Sequence, residues 1–156
     1  MRTILTKALV TLAITTIGAI GADNSIGTWK LNTEKSKYTG GPMPLKSLTY
    51  NREASDGGVK QTATGELADG SALNATYTLK YDGKEVPVTG NAPYDMISAK
   101  QINANTFTDA RMKMGGRYKG TSRTVISGGG KIMTIATKGT NAEGKAFTST
   151  FVLDKQ

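Results

Sequence analysis

Few residues in this chain can do acid–base, nucleophilic or metal chemistry. The 156 residues include no histidine and no cysteine. Histidine is the commonest general base near neutral pH and the commonest zinc ligand. Without it, and without a thiol, Ser-His-Asp and Cys-His catalysis are excluded. The missing cysteines also rule out a disulfide framework and a thiol-linked lipid anchor. Twelve carboxylates remain. Asp56, Asp69, Asp82 and Glu143 each stand immediately before a glycine, where a carboxylate bonds nearby backbone and stabilises a turn. Glu53, Glu66, Glu85, Asp95, Asp109 and Asp154 are scattered, and no two have a spacing that suggests paired acid–base work. The run SGGGK, ending at Lys131, resembles half a phosphate loop. Val125 stands where its first glycine belongs, and Ile132 follows the lysine instead of Ser or Thr. The inventory therefore predicts no catalytic residue, no metal site and no cofactor, and a protein that is not an enzyme.

The cations are more informative. In ARMKMGGRYKGTSR, Arg117, Lys119 and Arg123 fall at even spacing and share one face of a strand, with Arg111 and Lys113 preceding them across Gly115–Gly116. Two orientations follow. An inward stripe would hold the acid headgroup of an enclosed ligand through charge-assisted hydrogen bonds. An outward stripe would be a solvated face, or would meet anionic envelope lipid or polysaccharide. Single-stranded nucleic acid calls for stacking aromatics among the cations. Tyr118 is the only aromatic in the stretch and its parity sends it to the opposite face, so no nucleic-acid partner is expected.

These residues need a scaffold, and the sequence predicts strands throughout. Alternating runs rich in Thr, Val, Ile, Tyr and Phe suit a pleated, half-buried surface. They cover Gly27–Leu31, Ser47–Glu53, Val59–Leu67, Ser71–Tyr81, Lys84–Thr89, Met96–Ile102, Thr106–Met112, Arg117–Ile126, Lys131–Lys138 and Ala146–Leu153. The breaks SDGG, ADG, DG, MGG, SGGG and NAEG are turn sequences. Leu73, Ala75, Tyr77, Leu79 and Tyr81 share one face, with Asn74, Thr76, Thr78 and Lys80 on the other. An apolar side and a wet side on every strand point to a closed meander, which also removes exposed edges. The expected fold is all-β: an antiparallel up-and-down barrel of eight to ten strands. Two pieces break the meander. Asn32 to Leu45 holds Gly40, Gly41, Pro42 and Pro44 and is expected to cross one barrel end as a lid or plug; Val88 to Asp95 is expected as a loop. GELADGSALNATYTL, from Gly65, also echoes GTNAEGKAFTSTFVL, from Gly139; a duplicated meander and shared hairpin chemistry both account for it.

The first 22 residues read differently. Arg2 and Lys7 precede an apolar run that ends in small residues, the pattern of a secretory signal peptide. The uncharged run is shorter than the roughly 20 residues of a spanning helix. Cleavage is expected after Ala22 or Gly21. Removing 22 residues from the 156 leaves 134, a single barrel domain over 23–156, and takes two cations from the net charge of +8. No later run could span a membrane. The expected location is secreted or periplasmic.

The sole tryptophan, Trp29, lies in IGTWKLN near the start of the expected domain. Gly27, Trp29, Lys30 and Leu31 resemble the opening strand of the calycin superfamily, in which lipocalins carry Gly-x-Trp and fatty-acid-binding proteins often open with Gly-Thr-Trp-Lys-Leu. The resemblance implies a barrel that encloses a small apolar or amphipathic ligand. Fatty-acid binders hold the ligand carboxylate with Arg and Tyr in the last strand. The corresponding places here are Phe151 and Leu153, so that clamp is missing. Lipocalins lay a late arginine across the Trp ring; here Lys155 or Arg123 is left for that place. The chain is also similar to a group of small secreted bacterial proteins of unknown function that share this opening, Lys35-Ser36, YDGK, VTGN and a terminal Asp-Lys-Gln. Parity nominates Tyr50, Tyr77, Phe107 and Phe151 as lining residues, with Arg111 or Arg123 at an anionic end. Gly27 and Trp29 are expected to plug the barrel floor, the indole N–H bonded to a nearby carbonyl.

Overall fold

In a computed structural model that describes residues 22–156, the alternating runs form one antiparallel sheet of eleven strands. Of the leader read over residues 1–22, all but Ala22 lies outside the described residues. The strands are β1 (Gly27–Thr39), β2 (Leu45–Ser55), β3 (Gly58–Leu67), β4 (Ala72–Lys80), β5 (Val86–Pro87), β6 (Thr89–Gly90), β7 (Met96–Asn103), β8 (Thr106–Met112), β9 (Lys119–Ser127), β10 (Ile132–Thr140) and β11 (Ala146–Lys155). The order across the sheet is β5-β7-β8-β9-β10-β11-β1-β2-β3-β4-β6. The first long strand thus pairs with the last, and the sheet curls into a nearly closed barrel. Among the described residues no helix is long and apolar enough to cross a membrane.

The seam falls between β4 and β7. The expected strand Lys84–Thr89 is here two short pieces, because one segment serves both sides of the seam. Val86 and Pro87 pair with Ile97 and Met96, whereas Thr89 and Gly90 pair with Thr76 and Ala75. Gly90 has φ +105° and lies against the Asn74 carbonyl, where a Cβ would collide. Only glycine tolerates both conditions.

The segment Asn32–Leu45 departs from the expected lid. The chain continues as β1 through Thr39, and only the stretch from Gly40 to Pro44 is irregular. The cause is a bulge. Pairing with β11 runs to Asn32↔Val152 and resumes at Lys37↔Thr150. The extra residues reverse parity: Trp29 and Leu31 face inward before the bulge, Ser36 and Tyr38 after it.

Inward-facing Trp29, Leu48, Val59, Leu79, Ile97, Met133 and Leu153 are almost wholly buried and form a single core. The two echoing sequences occupy equivalent hairpins, β3–β4 and β10–β11. Gly65 stands opposite Leu73 and Gly139 opposite Phe147, each eight residues on. At both glycines the neighbouring strand's carbonyl, Ser47 or Lys119, occupies the space a Cβ would need. The sheet can therefore bend sharply at these two positions.

Candidate functional site

The two ends of the barrel differ. One is filled by the segment Asp23–Ile26 and by Trp29. The indole is fully buried and donates to the Ser25 carbonyl at 2.8 Å. Ser25 Oγ and backbone N–H both donate to Asp23, whose other carboxylate oxygen accepts from Tyr81 Oη at 2.6 Å. Arg52 donates to Ser25 Oγ (3.1 Å), Tyr81 Oη (3.2 Å) and Gln61. Burial alone would lower the Arg52 pKa, but Tyr77, Tyr81 and Asp23 around it hold it above its ordinary value. Asn24 ties the segment to the β7–β8 turn through the Ala104 carbonyl and Asn105. Among the described residues no buried side-chain nitrogen or oxygen lacks a partner, and the fully buried Trp29 and Ser25 seal this end. Lys155 Nζ lies 5.1 Å from the centre of the Trp29 ring. Of the two cations open for that place, Lys155 takes it.

The other end opens between the loops 40–44, 91–95, 113–118 and 141–145 into a cavity of about 260 Å³. Its two walls have different chemistry. Leu45, Leu48, Ala63, Leu67, Leu73 and Ala75, from β2, β3 and β4, form an apolar wall. From β8, β10 and β11 come Arg111, Thr137, Ser149 and Phe151. Tyr38, Phe147, Tyr118 and Tyr94 stack in sequence around the mouth, with ring centres 5.5, 5.9 and 5.9 Å apart. The offset, tilted arrangement is the one aromatic quadrupoles favour.

Arg111 is the charged group in this interior, and it is already paired. Its Nε donates to Asp109 Oδ1 at 2.7 Å and its Nη2 to Oδ2 at 3.2 Å. The two residues are i and i+2 on β8, so both side chains point inward. Their side chains are 13% and 11% exposed. The guanidinium lies 5.2 Å from the Tyr94 ring centre. Burial by itself would lower the Arg111 pKa, but Asp109 and the surrounding phenols outweigh it and hold the value well above ordinary arginine. Burial raises the phenols of Tyr50 and Tyr118, pushes Tyr77 up to about 12 and Tyr94 well above the usual value. At neutral pH the inner cavity therefore presents neutral hydroxyls and an Arg111 paired with Asp109, while Glu143 lines its mouth.

The nominated residues separate along the barrel. Tyr50, Arg111 and Phe151 line the cavity. Tyr77 is buried one row deeper, opposite Gln61. Phe107 is deeper still, 5.3 Å from Tyr81 at the sealed end. Arg123 is not in the interior at all: it alternates with buried Ser122 and Thr124 and faces solvent. Arg117 precedes β9, is exposed, and reaches the Glu143 carbonyl at 3.4 Å. The stripe thus points outward. Parity alone could not choose, because Thr and Ser occupy the alternate positions and leave neither face plainly apolar. Four aromatic cavity residues were not nominated. Tyr118 was available by parity against Arg117 and Lys119, whereas Tyr94 sits in a loop, where parity has no meaning. Tyr38 follows a bulge that reverses parity, and Phe147 shares its face with Ser149.

No protein-family model matches the chain, and no curated protein does. Among solved structures it is similar to zebrafish ileal bile acid-binding protein complexed with cholic acid, with TM-score 0.50 and 12% identity over 86% of this chain and 100% of that one. It is also similar to lipocalin 12 from rat epididymis, with TM-score 0.48 and 13% identity over 88% of this chain and 70% of that one. With eleven antiparallel strands, no helix among the described residues and β1 closed onto β11, the chain has a calycin-like β-barrel fold.

Proposed function

We propose that this protein is a non-enzymatic binding protein that takes a small, electrically neutral amphipathic molecule into the open end of its barrel. The observation that carries the reading is the cavity, apolar on one wall, ringed by aromatics and ending at an arginine already neutralised by Asp109. The fold-level likeness to a bile acid-binding protein supports a ligand-carrying barrel. Size and charge distinguish the ligand. The volume of about 260 Å³ lies below the roughly 300–1,000 Å³ that accommodates drug-sized molecules. A carboxylate brought to Arg111 would meet the Asp109 charge beside it; a hydroxyl or carbonyl would not. The apolar part would lie against Leu48, Leu73 and Ala75, with its polar end among Tyr50, Tyr94 and Tyr118. We also read the protein as secreted or periplasmic, delivered by cleavage after Gly21 or Ala22, with 23–156 as one domain. The composition and the apolar run at positions 8–22 support that reading.

Calorimetric titration of the purified mature protein with octanol and with octanoate tests the ligand class, and mass spectrometry of the protein from its native host tests occupancy. The expected results are tighter binding of the alcohol and a stoichiometric neutral guest. Equal or tighter binding of the carboxylate overturns the neutral class. No binding of either probe, with no copurified molecule, overturns the reading as a carrier.

A further inference from the structure

The outer face of β7–β11 carries charge that the barrel does not balance. On β9, Lys119 and Arg123 point outward with Thr121 between them. Lys138 on β10 stands opposite Thr121, so it is diagonal to both cations, roughly 7–8 Å away on the adjacent strand. Lys100 on β7 stands opposite Thr108, which in turn stands opposite Arg123. Like charges placed this way across neighbouring strands destabilise a sheet.

The far side of the barrel pairs two of its outward lysines and leaves Lys60 on β3 without an ion pair among the described residues. There Lys46 pairs with Glu66 at 2.9 Å and Lys80 with Asp56 at 3.0 Å. Among the described residues, the ion pairs are those two together with Lys84–Asp82, Arg111–Asp109 and Lys113–Asp95, and they leave Lys100, Lys119, Arg123 and Lys138 out. β7–β11 hold two carboxylates. Asp109 turns inward to Arg111, and Asp154 lies by the sealed end, bonded to Asn32 at 2.8 Å. Edge protection does not account for the cluster, because β9 and β10 lie inside the sheet order.

The cations stand over two adjoining troughs of about 620 and 720 Å³, which share Ala110, Thr121, Lys138 and Thr148; Glu85 lines the second, against three cations, Lys100, Arg123 and Lys138, in the first. Small side chains make the floor, and threonine hydroxyls supply donors and acceptors along it. We propose that this face binds a linear acidic polysaccharide, with lysine and arginine meeting its carboxylate or sulfate groups and the threonines its hydroxyls. Two other polyanions fit less well. A lipid surface calls for apolar side chains that insert, but among the described residues the exposed large hydrophobics are Ile102 at the end of β7 and Met114 in a loop. Nucleic acid calls for stacking platforms, but Phe107, Phe147 and Phe151 on these strands all turn inward. The site is separate from the interior cavity and does not rest on its contents.

The test is affinity electrophoresis of the mature protein in gels carrying polygalacturonate, dextran sulfate or uncharged dextran, at low and physiological salt. The triple variant Lys119→Gln/Arg123→Gln/Lys138→Gln is compared with Lys46→Gln/Lys60→Gln/Lys80→Gln, which removes the same charge from β2–β4. We expect salt-sensitive retardation by the two acidic polymers, about tenfold weaker in the first variant and retained in the second. Equal loss in both variants, or no retardation of the wild type, overturns the proposal. So does pelleting with phosphatidylglycerol vesicles without polymer binding. Octanol titration of both variants separates this outcome from that of the interior site, since all six substituted residues face solvent.

Discussion

Replacing Asp109 with asparagine leaves the shape of the cavity nearly unchanged and removes the charge that neutralises Arg111. Arg111 stays protonated, since arginine ordinarily loses its proton only far above neutral pH. The variant therefore holds an uncompensated cation whose side chain is 13% exposed. Removing one partner of a buried ion pair generally costs about 3–5 kcal/mol. Here the lower end applies, about 3 kcal/mol, because the open cavity admits water and the asparagine carbonyl still accepts from Nε. For a domain of this length that corresponds to a fall in Tm of roughly 10 °C. The same change should reverse ligand preference. Octanoate can now supply the missing charge, and a hydrogen bond to a charged group contributes about 1.5–3 kcal/mol, so its affinity should rise relative to octanol by about tenfold or more. The assays are a thermal melt and paired calorimetric titrations of wild type, Asp109→Asn and the double variant Asp109→Leu/Arg111→Met. The double variant should recover most of the lost stability, since replacing both partners with apolar residues is often neutral. An unchanged Tm together with an unchanged octanol-to-octanoate ratio in Asp109→Asn would refute the assignment of the pair.

Three further outcomes follow from the same geometry. Trp29→Ala removes a fully buried indole and orphans the Ser25 carbonyl, and should cost about 3–5 kcal/mol in denaturant unfolding; Lys155→Met should cost less than about 1 kcal/mol, as an exposed cation–π contact does. Raising the pH should weaken the fold. The buried phenols have folded pKa values above the unfolded value near 10, so their contribution is complete below that pH and is lost as pH climbs through the folded values. Tyr77, at about 12, accounts for about 2–3 kcal/mol of that loss, readable as a falling urea midpoint tracked alongside phenolate absorbance. Ala75→Phe projects a ring into the cavity from its apolar wall and should abolish octanol binding while changing stability by about 1 kcal/mol or less; retained binding would place the guest elsewhere.

Legibility from the residues followed local periodicity. The strand β4 was readable because its alternation is unbroken. Readability failed wherever a residue count changes parity, as it does across the β1 bulge between Asn32 and Lys37, and so Tyr38 was missed. It failed again at Lys84–Thr89, where a single extended segment divides its hydrogen bonds between two neighbours. No local pattern encodes which neighbour a backbone group will find. Tyr94 reached the cavity from an irregular loop, and Arg111 and Arg123 could not be told apart by type or spacing, although one is buried and the other exposed.

What the sequence by itself determined is the chemistry that this protein lacks and the kind of sheet it makes. The absence of histidine and cysteine, the alternating runs and the glycine-centred turns are local facts that no packing can alter. The tertiary structure decided where the cations lie and what neutralises them. Arg111 and Asp109 meet because two inward positions on β8 share a low-dielectric interior, where an unpaired charge is too costly to keep. Arg123, two strand pairings from Lys100, stays in water, where its charge is solvated without a protein partner. Charge in the sequence is a sum; the fold assigned each charge a dielectric and a neighbour, and those two quantities separate a neutral pocket inside from a cationic face outside.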